Sequence, residues 1–133
     1  MRRFILLALL AGSLAFAPAC HNPTSGDILG LQVTSPPAGQ TYAINDTVII
    51  SWSCAGCYQI YGSSGVVIGV VSEASGTATN IGNGAFIGSA PWPAGQTPSG
   101  TILPTGSYHV AVSTFPDYTA TAKSPSFQLA AAR

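Results

Sequence analysis

Beyond residue 30 the apolar residues of this chain come in short runs of period two, each closed by a cluster of Gly, Pro, Ser or Asn. An amphipathic helix needs a 3.6-residue period held for about ten residues or more, and no such stretch fits between those stops. A half-buried strand needs only about four to eight alternating residues, so the punctuation selects an all-β domain. Thr47 to Cys54 is the clearest run: Val48, Ile50, Trp52 and Cys54 face one way, Thr47, Ser51 and Ser53 the other. Leu29, Leu31 and Val33 share a face ahead of Ser35-Pro36-Pro37-Ala38-Gly39. Tyr58 to Tyr61 and Val66 to Val71 read as two further strands, joined by a Gly62-Ser63-Ser64-Gly65 hairpin loop. The second is apolar on both faces except at Gly69, the pattern of a central strand.

Residues 72–100 are less regular. Thr77 to Ile81 is expected as a strand and Asn83-Gly84 as a turn, while Pro91-Trp92-Pro93 is excluded from any central strand because proline has no N–H for the ladder. Ser107 to Phe115 alternates again, with Tyr108, Val110 and Val112 opposite His109, Ala111 and Ser113, which places His109 on the solvent side. Ser126 to Ala130 turns Phe127 and Leu129 inward. Strands and turns at this spacing predict an antiparallel β-sandwich of the immunoglobulin or fibronectin-III type over 31–130.

Ahead of that domain, Arg2-Arg3 precedes an apolar run from Phe4 to Phe16, and Ala17-Pro18-Ala19-Cys20 comes next. This is the layout of a signal peptide over 1–19. The run is shorter than the roughly 20 residues a membrane-spanning helix needs. Small residues before Cys20 resemble a bacterial lipobox, which implies acylation of the Cys20 sulfur, although Ala17 stands where the motif usually has Leu. Several acyl chains would anchor the protein durably. His21 after the cysteine, by resemblance to enterobacterial sorting, favours the outer membrane or cell surface. Residues 20–30 are polar and glycine-bearing, a flexible tether.

The mature chain carries two cations, Lys123 and Arg133, against four anions, Asp27, Asp46, Glu73 and Asp117. Two scattered cations cannot track a phosphate backbone, which argues against nucleic acid as a partner. The partners expected are the membrane, through the lipid, and an envelope polysaccharide or another envelope protein.

A resemblance is spread over about 100 residues. Leu31 to Tyr42, Asn45 to Trp52, Leu103 to Tyr108 and Ser124 to Leu129 together resemble the immunoglobulin-like domain of fungal Kre9/Knh1 cell-wall proteins. It implies an extracellular sandwich linked with cell-wall glucan assembly and brings no catalytic residues. Cys54-Ala55-Gly56-Cys57 and the glycine-rich middle depart from it. Leu103 to Tyr108 also resembles a tyrosine corner, in which the phenol bonds back to upstream backbone.

Few residues could carry chemistry. Cys54 and Cys57, either side of Ala55-Gly56, are spaced for a disulfide across a tight turn, and an exported compartment favours it. The alternative is a thiol–disulfide or metal-handling role for the same pair, which would want a helix after Cys57 or further ligands beyond His21 and His109. Asp46, Glu73 and Asp117 each sit where a turn or strand end accounts for them, and no nucleophile elbow encloses a serine, so no catalytic residue, cofactor or metal site is assigned. Trp92, with Tyr58 and Tyr61, is the candidate ligand surface; the competing reading has Trp92 plugging one end of the sandwich.

Overall fold

The structure, a computed structural model, describes residues 30–57, 65–116 and 120–133. Nine strands run in order: β1 (Leu31–Ser35), β2 (Thr41–Ala43), β3 (Thr47–Cys54), β4 (Val66–Ser72), β5 (Ala78–Gly84), β6 (Gly88–Pro93), β7 (Gly106–Thr114), β8 (Thr121–Lys123) and β9 (Phe127–Ala130). They form two sheets, β1-β3-β6 and β2-β9-β7-β4-β5, with β8 also pairing β7. This is an immunoglobulin/fibronectin-III-like β-sandwich. All pairs are antiparallel except β2 with β9, where Thr41 to Ala43 run parallel to Gln128 to Ala130. β8 and β9 both pair β7, on either side of Ser124-Pro125-Ser126.

The expected alternation holds where it was strongest. Along β3, Val48, Ile50, Trp52 and Cys54 are buried, and along β9 Phe127 and Leu129 are. β4 lies between β5 and β7, as its two apolar faces predict. β6 carries Pro91 and Pro93 and is an edge strand, where a missing N–H costs no ladder bond. The region around it differs from expectation: Asn83-Gly84 is no turn but the end of β5, paired with Val67 and Val66. The expected strand at 58–61 and residues 62–64 of its hairpin loop lie outside the described residues.

Two tryptophans close the space between the sheets. Trp52 pairs with Gly88 and Trp92 with Val48, so four rungs of the β3–β6 ladder, roughly 13 Å, separate them. The Trp52 indole donates from Nε1 to the Ala85 carbonyl at 2.7 Å, and the Trp92 indole to the Gln96 carbonyl at 2.8 Å. Around Trp92, Phe127 meets Tyr42, Trp92 and Tyr108 at ring-centroid distances of 5.8, 6.2 and 6.5 Å. Tyr108 completes the tyrosine corner, its hydroxyl donating to the Pro104 carbonyl at 2.7 Å.

The Trp52 ring leaves no room at the end of β5. A Cβ on Gly84 would sit 2.6 Å from Trp52 Cζ2, while at Gly82 it would meet nothing within 4 Å. Gly84→Ala is therefore expected to lower stability by about 1–3 kcal/mol through overpacking. Gly82→Ala should stay within about 0.5 kcal/mol of the parent. Urea midpoints of the two variants check this, and equal midpoints would contradict the packing described.

Candidate functional site

Strand β4 directs Val66, Ile68 and Val70 into the core and leaves Val67, Gly69 and Val71 on the outer face of the larger sheet. Register supplies their neighbours. Val67 stands between Asn83 and Ser113, Gly69 between Asn80 and Ala111, and Val71 between Ala78 and His109. Thr121 and Lys123 continue the first two rows beyond β7, and the Ser113 and Thr121 hydroxyls are 2.9 Å apart.

Asn80 and Asn83 share this face because of a bulge. Two residues three apart on a regular strand point to opposite faces. Here Ile68 pairs with Gly82 and Gly69 with Asn80, so Ile81 is the extra residue. Ile81 packs against the core, and Asn80 Oδ1 accepts a hydrogen bond from the Gly82 N–H at 2.9 Å. Two shallow grooves result, of about 300 Å³ beside Phe115 and Asn83 and about 240 Å³ over Gly69 and Ala111. Val67 and Asn80 line both, which makes them one trough along β4. Phe115, 47% exposed, stands at one end of it.

At the other end lies the departure from the solvent-side position expected of His109. That residue is only 9% exposed, because Glu73 from the β4–β5 connection folds over it. His109 Nδ1 lies 2.6 Å from Glu73 Oε1, and the Ser126 hydroxyl donates to the same oxygen at 2.8 Å. The Ser126 hydrogen bond, then that to His109, hold the Glu73 carboxyl below its ordinary value, helped by the charges of His109 and Lys123 and opposed by partial desolvation.

The residues singled out in the sequence are dispersed. Cys54 and Cys57 are joined in a disulfide with Cα atoms 5.5 Å apart, and both are fully buried. An attacking thiolate has no path to a sulfur so enclosed, which suits a structural pin. Cys57 has helical backbone, and residues 58–64 after it are outside the described residues. Trp92 is 4% exposed and its N–H is committed to the Gln96 carbonyl, the arrangement that the plug reading describes, and its ring lines a groove with Ile81, Gly82 and Asn83. Tyr58, Tyr61, Cys20 and Asp117 lie outside the described residues. Asp46 accepts the Ala43 N–H at 2.9 Å and lies 3.6 Å from Arg133, a local turn arrangement separate from Glu73. Among the described residues no three of His, Cys, Asp and Glu converge as metal ligands would.

Sequence reasoning passed over the trough. Asn80-Ile81-Gly82-Asn83-Gly84 reads as turn chemistry, and only the pairing with β4 reveals the bulge that brings both amides to one side.

No known protein family matches the chain, and no curated protein does. Among solved structures, the fibronectin(III)-like modules of CbhA from Clostridium thermocellum are similar at 19% identity and a TM-score of 0.44, over 77% of this chain and 99% of that one.

Because the folded Glu73 value is depressed, its stabilising contribution is complete above the ordinary value of 4.5 and declines as pH falls through the lowered folded value. Glu73→Gln is expected to lower the urea midpoint at pH 6. The gap to the parent should narrow steadily on acidification below 4.5. A gap independent of pH would show that the carboxylate charge is not what the network uses.

Proposed function

We propose that this chain is a non-catalytic binding module of a bacterial envelope, held to the membrane by lipid on Cys20 and making polysaccharide or protein contacts. The observation that carries the binding reading is the outer face of β5-β4-β7. A trough there is lined by valine, small and amide side chains, while the described carboxylates are occupied in networks that brace turns and strand ends. Reactive groups held in this way serve architecture, and an open uncharged trough serves contact.

The leader over 1–19 and the small residues before Cys20 support the anchor. A polar tether of 20–30 would set the sandwich, whose first strand begins at Leu31, away from the lipid surface. The resemblance to Kre9/Knh1-type domains fits an extracellular setting. The thiol–disulfide and metal-handling alternative is disfavoured by the full burial of both Cys54 and Cys57.

Intact mass of the protein purified from its native membrane tests the anchor. The expected mass is that of Cys20 to Arg133 plus acyl chains, rising by two hydrogens on reduction under denaturing conditions. A mass without lipid would overturn the anchored reading. No gain on reduction would overturn the disulfide.

A further inference from the structure

We propose that the trough along β4 binds an extended, neutral polysaccharide, with the Asn80 and Asn83 amides as its polar contacts and Val67 as its apolar floor. This rests on the reading of the chain as a binding module and adds to it a site and a ligand class.

The chemistry of the lining selects the ligand. Between Lys123 on one margin and the Glu73–His109 pair at the far end, the rows Asn83–Val67–Ser113 and Asn80–Gly69–Ala111 carry no charge. An acidic or basic ligand would find a counter-charge only at the margins, and over the floor would lose hydration with nothing to replace it. A carboxamide offers two N–H donors and a carbonyl acceptor, and a hydroxyl both donates and accepts, so neighbouring sugar hydroxyls can be matched on both counts. Gly69 and Ala111 keep the floor low, which lets a flat chain approach the sheet closely. Val67, half-buried and lining both grooves, gives an apolar surface against which the C–H face of a pyranose can lie.

The same features argue against a protein partner at this site. Specific protein interfaces cover about 800 Å² on each side and centre on Trp, Tyr or Arg anchors. The described part of this trough has none of the three and is narrow. From Val67 to Val71 it runs roughly 13 Å, the scale of a short oligosaccharide segment. The bulge has a purpose in this light: without Ile81 as the extra residue, the Asn80 and Asn83 amides could not both face the ligand.

The test is a titration of the isotopically labelled mature lipoprotein, in zwitterionic detergent micelles, with cellohexaose, a flat neutral hexasaccharide. The side-chain NH₂ signals of Asn80 and Asn83 and the backbone amides of β4 are expected to shift. Asn83→Ala should weaken binding about tenfold, equivalent to about 1.4 kcal/mol. Ser113→Ala, on the opposite wall, serves as a second variant, and retained dispersion of the β7 and β9 amides verifies that each variant is folded. Shifts confined to the β1-β3-β6 sheet, or unchanged affinity in both variants, would overturn the site. If cellohexaose moves no signal at millimolar concentration while cross-linking traps the protein on an envelope protein, the glycan assignment falls and the binding-module reading stands. If neither is seen, both fall.

Discussion

The fold depends on how the chain passes from one sheet to the other, and Trp52 holds that passage. β5 ends at Gly84 in the larger sheet and β6 begins at Gly88 in the smaller one, so three residues make the crossing. Trp52 reaches from β3 to lie against both glycines and donates its indole N–H to the Ala85 carbonyl between them. Phe86, fully buried, fills the space beneath the crossing. Removing a phenylalanine of that kind costs about 3–5 kcal/mol. The same solution recurs at Trp92, whose N–H fixes the loop after β6 while Phe127 draws in rings from β2, β6 and β7. Both tryptophans combine large apolar bodies with one satisfied donor, which is the condition for burying an indole without penalty.

With both ends closed in this way, the outer face of the larger sheet has a firm backing. Val66, Ile68 and Val70 are packed against the core on one side of β4, so Val67, Gly69 and Val71 on the other cannot readily shift register. A bulge in such a sheet sets side-chain direction with little freedom, and the two amides of β5 arrive at the trough already placed. Little ordering entropy would then oppose ligand binding, which favours a rigid module over a flexible one for a weakly interacting, uncharged ligand.

What could be read in the sequence came from period and punctuation. β3, β4, β7 and β9 announce themselves because apolar residues that alternate, or run unbroken, between turn signals over so few positions fit a strand and little else. β2 and β8 have three residues each, too few for any period to register, and β2 exists only through its parallel pairing with β9. Asn83-Gly84 carries the strongest local turn signal in the middle of the chain, yet tertiary pairing with Val66 and Val67 overrides it, and the amide-lined trough was hidden for that reason. His109 looked solvent-facing because the residue that covers it, Glu73, is 36 positions away. Trp92 offered two readings, and its depth in the sandwich is a tertiary property that the flanking prolines do not encode. Fold class was therefore accessible from one-dimensional pattern, while the candidate site arises from register between strands and has no one-dimensional signature.

The most direct measurement on the Trp52 crossing is native-state amide hydrogen exchange of the parent and Trp52→Phe. Phenylalanine keeps an aromatic body but cannot donate to the Ala85 carbonyl. If the crossing joins the sheets as described, amides from Gly84 through Trp92 lose protection first in the variant, while those of β4 and β7 keep most of theirs. Uniform loss across both sheets, or no loss at the crossing, would contradict the account.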